Sequence, residues 1–213
     1  MSNTPKVLVV YAHPDPDESM ANKALLGAVR DFDHVTVHDL YAIYPDYFID
    51  VTAEQKLLCQ HDIIVFQHPL YTYSCPALLK EWFDRVLTRR FATEAGYQKL
   101  KGKYWRSVIT TGEPIHAYQH DGYNHYPLTE ILRPFELTAL MCDMQWLEPT
   151  IIYAARRQSK ERFEQLIDDY RQWMQQPLGA GGLSWCQNWG YLNPLSSSSA
   201  PGLSWYLLHK KSA

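Results

Sequence analysis

The chain has no long apolar run, no pair of cysteines at short spacing, and no glycine in the loop that follows its first apolar segment. Each absence removes a class of protein. The strongest apolar stretches, such as Ile63-Ile64-Val65-Phe66, are the length of a strand, whereas a helix needs about 20 apolar residues to cross a bilayer. Any attachment to a membrane is therefore expected to run through a partner. Cys59, Cys75, Cys142 and Cys186 are widely separated, and no basic-then-apolar leader opens the chain. Reduced cytoplasm is the expected compartment. An excess of basic residues is missing too: 20 Lys and Arg against 23 Asp and Glu leave a formal charge of −3. That gives no electrostatic footprint for nucleic acid or an anionic membrane, so a small molecule or a protein is the expected partner. What the chain does have is 46% hydrophobic and 14% aromatic residues over 213 positions, enough for one sizeable core.

The apolar segments alternate between two periods. Lys6 to Tyr11 (KVLVVY) is continuous and β-branched, as in a strand buried on both faces of a parallel sheet. From Ser19, placed as an N-cap, Ala21, Ala24, Leu25, Ala28, Val29 and Phe32 fall on one helical stripe. His34 to Leu40 is a second strand, Thr52 caps a helix to about Gln60, and Asp62 to Gln67 is a third strand. Pro76 opens a helix with the stripe Leu78, Leu79, Trp82, Phe83, Val86 and Leu87. Ser107 to Thr111 is strand four, a broken helical stretch covers Pro127 to Met144, and Trp146 to Tyr153 holds strand five. A last amphipathic helix spans about Ser159 to Gln175, with Phe163, Leu166, Ile167 and Tyr170 facing in. Strands this apolar, alternating with helices, predict an α/β fold: a doubly wound parallel five-stranded sheet in the order 2-1-3-4-5, as a single domain over residues 1–176. Residues 177–213, with a serine run and Trp185, Trp189 and Trp205 but no clear period, are expected to be a poorly ordered tail or a docking segment.

Ligands of such sheets sit outside the carboxyl ends of the strands, so the loops after strands one, three and four should meet. They read HPDPDES, HPLYTYSCP and TGEPIHAY. In the first, the free N–H groups and dipole of the helix starting at Ser19 can bind a phosphate, with help from the Ser19 hydroxyl, the Asn22 amide and His13. A long loop makes glycine unnecessary. The run Ala12-His13-Pro14-Asp15 with Glu18 also looks like the A-H-P-D-D-E signature of zinc deacetylases, but Pro16 stands between Asp15 and Asp17, and no later His pair has metal-ligand spacing.

The combination YAHP…S-x-x-N, QHP-x-x-x-YS-x-P-x-LLK-x-W-x-D-x-V and TTG after strand four resembles the flavodoxin-like NAD(P)H quinone reductases. The runs FQHPLYTYSCPALLKEWFDRVL, GKYWRSVITTGEP and LRPFELTA further resemble the ancillary subunits of bacterial glutathione-regulated potassium-efflux systems, over about residues 5 to 176. By position, the resemblance implies an FMN phosphate against His13, Ser19, Met20, Ala21 and Asn22. It implies Leu70, Tyr71, Thr72 and Tyr73 along the ring edge and ribityl chain, and backbone contacts to the isoalloxazine from Thr110, Thr111, Gly112 and Glu113. Tyr118 takes the place of the tyrosine that polarises the quinone, and Asn124 that of a histidine in the mammalian-type enzymes. The electron donor would be NADH or NADPH and the acceptor a quinone or electrophile.

The resemblance also implies a homodimer, with the aromatic segment Tyr118 to Tyr126 as a wall of the site, and a peripheral place on the cytoplasmic side of the inner membrane beside a KefB-type potassium-efflux antiporter. One departure from the pattern counts against turnover. Many relatives continue TTG with a second glycine, where this chain has Glu113-Pro114; the carboxylate adds negative charge where reduced flavin is also negative, and proline removes a donor. A module that activates the antiporter by binding alone, or a free cytoplasmic quinone reductase, are the alternatives. Cys75, at a helix N-terminus, is either an electrophile sensor with a lowered pKa or a small buried apolar residue.

Overall fold

The computed structural model describes residues 4–15, 17–94 and 98–178. Its centre is a parallel sheet with strand order β2-β1-β3-β4-β5, and β6 also pairs with β4. β1 (Val7–Tyr11) lies between β2 (Val35–Asp39) and β3 (Ile63–Pro69), and β4 (Tyr104–Thr110) adds beyond β3. Every residue of β1 and β3 is buried, as strands covered by helices on both faces require. The order is the doubly wound arrangement that the alternation predicts.

The fifth predicted strand is broken in two. β5 (Gln145–Trp146) pairs with Tyr104 and Trp105, and β6 (Thr150–Ile152) pairs with Val108 to Thr110. Pro149, which has no N–H to give to a ladder, stands in the gap. β4 in turn starts three residues before the expected Ser107. Arg106 hid that extension: it is buried in the sheet, with Nε and Nη2 donating to Thr150 Oγ1 and its guanidinium 4.1 Å from the Trp173 ring centroid.

Helices fill both faces. α1 (Met20–Gly27) and α8 (Lys160–Gln175) cover one side, where Leu25, Leu26, Val29, Leu166, Tyr170 and Trp173 meet Val7, Val9, Ile63 and Val65. On the other side α2 (Leu40–Ile43), α3 (Val51–Cys59), α4 (Ala77–Val86), α5 (Arg89–Ala92), α6 (Leu128–Ile131) and α7 (Arg133–Met141) pack on Leu8, Val10, Ile64 and Phe66. The α4 stripe is buried as predicted, with the Phe66 ring 5.7 Å from Trp82, 4.9 Å from Phe83 and 4.1 Å from Trp105. Asp50, not Thr52, caps α3: its carboxylate accepts the Ala53 N–H at 3.0 Å. Ser159 does cap α8, accepting the Arg162 N–H. Beneath α3 the buried Glu54 carboxylate accepts from His38 Nε2, Tyr44 and Trp82, and these donors together hold its pKa below the usual range against the cost of burial. After α8, Trp173 Nε1 donates to the Pro177 carbonyl. Of the tail expected at 177–213, residues 179–213 lie outside the described residues, and among those described no helix is long and apolar enough to span a membrane.

Candidate functional site

The winding brings the exits of β1, β3 and β4 to one edge. At the first exit His13 is buried, and its Nδ1 accepts the Asp15 N–H at 3.1 Å. An accepting Nδ1 leaves the proton on Nε2, and burial lowers the pKa of the ring, so His13 is a neutral donor there. The Asp15 carboxylate accepts the N–H groups of Asp17 and Glu18 and so shapes the loop without glycine.

Ser19 corrects the sequence reading. It stands at the N-cap position of α1, but its side chain makes no capping bond; the hydroxyl meets the Tyr11 phenol at 2.5 Å. Lys23 is the first amide of the helix to be taken up, by the Ser19 carbonyl at 2.9 Å. The N–H groups of Met20, Ala21 and Asn22 therefore donate to nothing among the described residues, which is what an anion at a helix N-terminus needs. Asn22 gives its backbone and not its side chain: Nδ2 donates to Thr110 Oγ1, and Oδ1 accepts from Gln67 Nε2. Gln67 Oε1 accepts from the buried Tyr170 phenol at 3.0 Å. This network ties α1, β3, β4 and α8 together beneath the N-terminus of α1.

The second exit is a hairpin turn without glycine. Tyr71 and Ser74 exchange both backbone hydrogen bonds, and Thr72 (φ 48°) and Tyr73 (φ 62°) both sit in the left-handed region. A β-branched residue there is strained, and such strain gathers at ligand clamps. The turn pushes Tyr71 and Tyr73 outward, while the Leu70 N–H is anchored on the Thr110 carbonyl. Tyr73 donates to Asn124 Oδ1 at 3.2 Å, joining this turn to the loop after β4. Asn124 Nδ2 is buried and has no partner among the described residues, a donor in need of an acceptor.

At the third exit the Thr111 hydroxyl and the Ala154 N–H both donate to the Glu113 carbonyl, and the Thr111 N–H donates to Ile152. Arg157 reaches from the loop after β6 to the Gly112 carbonyl at 2.6 Å and the Glu113 carboxylate at 3.2 Å. The charge that counted against a flavin at this position is thus matched by an arginine. A Cβ on Gly112 would meet nothing within 4 Å, so the protein itself sets no need for glycine and the space over that backbone is open to a flat ligand. Gly122, in contrast, is closed: a Cβ there would lie 2.3 Å from the His116 carbonyl oxygen. That close backbone packing leaves no room for a side chain at Gly122, in the loop that carries the exposed Tyr123 and Tyr126.

Tyr118 does not join that exposed surface. It is 5% exposed and packs on Tyr153, and burial raises the pKa of its phenol. Cys75 is buried and its thiol is pushed up to about 11, which removes the lowered-pKa sensor reading. Sequence reasoning gave no part in the site to Gln67, Tyr170, Arg156 or Arg157. Arg156 pairs with Glu18, so two consecutive arginines grip the first and third loops. Their position just after the last strand, at the same carboxyl edge, was the available signal.

Three loops, a helix with open amides, an amide donor without a partner among the described residues and room above Gly112 thus meet at the carboxyl edge of a doubly wound parallel sheet. The family model described as flavodoxin-like fold matches residues 5–176. The chain is 63% identical over 182 residues to the glutathione-regulated potassium-efflux system ancillary protein KefG of Yersinia enterocolitica, covering 85% of this chain and 99% of that one. Among solved structures it is similar to general stress protein 14 of Treponema denticola in complex with FMN, at 40% identity and TM-score 0.74, covering 80% of this chain and 98% of the other. An NADPH-quinone reductase from P. pentosaceus is also similar, at 32% identity and TM-score 0.74, with 79% and 97% covered. The chain belongs to the flavodoxin-like family and, within it, to the KefG group.

Proposed function

We propose that this chain is an ancillary subunit of a KefB-type potassium-efflux antiporter that binds FMN at the carboxyl edge of its sheet and passes reducing equivalents from NADH or NADPH to a quinone or related electrophile. The observation that carries the reading is the set of open amides of Met20, Ala21 and Asn22 beside the buried neutral His13. These groups would hold the phosphate, Tyr71 and Tyr73 would flank the ring, and the backbone from Thr110 to Glu113 would follow its polar edge. Bound there, the flavin would supply two-electron transfer between nicotinamide and acceptor. Tyr118, kept protonated by burial, would donate toward the acceptor or the ring edge. The fit is supported by the Arg157 pairing of Glu113 and by Asn124 Nδ2, a donor without a partner among the described residues.

The assembly we propose is a homodimer with Tyr123 and Tyr126 at the wall of the site, peripheral to the inner membrane on its cytoplasmic side. The catalytic unit is residues 1–176, with 177–213 as an appended tail. The reading by binding alone differs in one respect that an experiment separates. In a strain lacking the native subunit, His13→Ala should fold, lose FMN and fail to restore potassium efflux if flavin occupancy is part of activation. Full restoration by a flavin-free variant would make the protein a binding module, and a wild-type chain that neither joins the antiporter nor changes efflux would make it a free quinone reductase.

A further inference from the structure

A groove of about 590 Å³ lies on the opposite edge of the sheet from the flavin-type site, between α3, α5 and the segment that leads into β4. Cys59 and Gln60 precede β3 and Lys99 precedes β4, so this part of the groove opens at the amino ends of the strands. Phe91, Thr52 and Thr88 help to line it, and Lys56, Arg90 and Lys99 stand on its walls with no carboxylate among the lining residues. Lys56 and Lys99 are exposed and form no ion pair among the described residues, whereas Arg90 engages neighbours of its own. A concentration of unmatched positive charge is out of character for a chain of net charge −3.

We infer that this groove is the docking site for an acidic segment of a protein partner. Charge complementarity selects the occupant. The chain's own residues 179–213 hold no Asp or Glu and carry Lys210 and Lys211, so the tail is a poor fit for a cationic groove. Anionic lipid is a poor fit as well, because each surface cation contributes only about 1 kcal/mol and this site is a concave cleft and not a broad basic face. A short carboxylate-bearing peptide matches both the volume and the charge, and long-range attraction would speed its arrival. Seated at the amino edge, such a partner would leave the carboxyl-edge loops open to nicotinamide and acceptor. The inference rests on the proposed antiporter role and names the surface that would serve it.

The test uses the full chain and a purified KefB-type antiporter in detergent, with binding followed by biolayer interferometry and FMN content followed in parallel. Lys56→Glu with Lys99→Glu should weaken binding at least tenfold while leaving FMN content and melting temperature unchanged. The arginine pair, Lys56→Arg with Lys99→Arg, should bind as wild type, as should Lys160→Glu on the far face. Undiminished binding by the glutamate pair would overturn the inference. So would charge-dependent binding of the wild type to phosphatidylglycerol vesicles that matches its binding to the antiporter. If the wild-type chain holds FMN but does not bind the antiporter at all, the underlying role falls and the docking site with it.

Discussion

Replacing Ser19 by alanine separates two roles that the sequence merges. An N-cap serine would lose its bond to the helix and cost about 1 kcal/mol. In the structure the Ser19 hydroxyl bonds instead to Tyr11 at 2.5 Å, both residues being buried, so the change strands the phenol. A buried polar group without a partner costs about 1–3 kcal/mol, which for a chain of this size lowers the melting temperature by roughly 2–4 °C per kcal/mol. Tyr11→Phe removes the other partner. The double variant should then be close to wild type in stability, because loss of both partners is nearly neutral. A double-mutant cycle by urea denaturation should give a coupling of about 1–2 kcal/mol. A coupling below about 0.5 kcal/mol, with the double variant as unstable as the sum of the singles, would refute the Tyr11–Ser19 pairing and return Ser19 to the helix cap.

Three further outcomes are expected. His68 is fully buried, with Nδ1 donating to the Pro69 carbonyl and Nε2 without a partner among the described residues, and desolvation lowers its pKa to about 4. The unfolded chain takes up that proton below about pH 6.5 and the folded one does not, so stability should decline as pH falls from 6.5 toward 4, by on the order of 3 kcal/mol. His68→Phe should flatten much of this slope in denaturation curves, and an unchanged slope would contradict it. Thiol labelling at pH 8 followed by mass spectrometry should find Cys59 modified well before Cys75 and Cys142, whose thiols are pushed up to about 11 and about 12; early labelling of Cys75 would count against its burial. Arg157→Ala should change stability by less than about 1 kcal/mol, because its pair with Glu113 is more than half exposed, yet weaken FMN several-fold by freeing the third loop. Glu113→Gln in that background should recover part of the loss, and no change in FMN affinity would mean that the clamp is idle.

Elements whose identity rests on local pattern were legible in the sequence. The strands buried on both faces and the α4 stripe announce themselves, and the strand exits then follow from topology. What escaped depends on contacts remote in sequence. The Tyr11 phenol draws the Ser19 hydroxyl off the helix, and Thr150 with the Trp173 ring makes a buried arginine tolerable inside β4. The turn at Thr72 and Tyr73 carries no glycine or asparagine to betray its left-handed backbone. Arg156 and Arg157 resemble any basic surface pair until Glu18 and Glu113 are placed beside them.

The central claim is that the open amides of α1 and His13 form a phosphate anchor for FMN, and titration of the apoprotein with FMN and with riboflavin tests it most directly. Riboflavin has the same ring without the phosphate, and two or more charge-assisted hydrogen bonds at about 1.5–3 kcal/mol each put its affinity at least about 100-fold below that of FMN. Quenching of flavin fluorescence should therefore saturate at one FMN per chain, with riboflavin binding far weaker and His13→Ala narrowing the gap. Equal affinity for the two flavins, or no FMN binding at about 100 μM, a Kd limit corresponding to only about −5.5 kcal/mol, would contradict it.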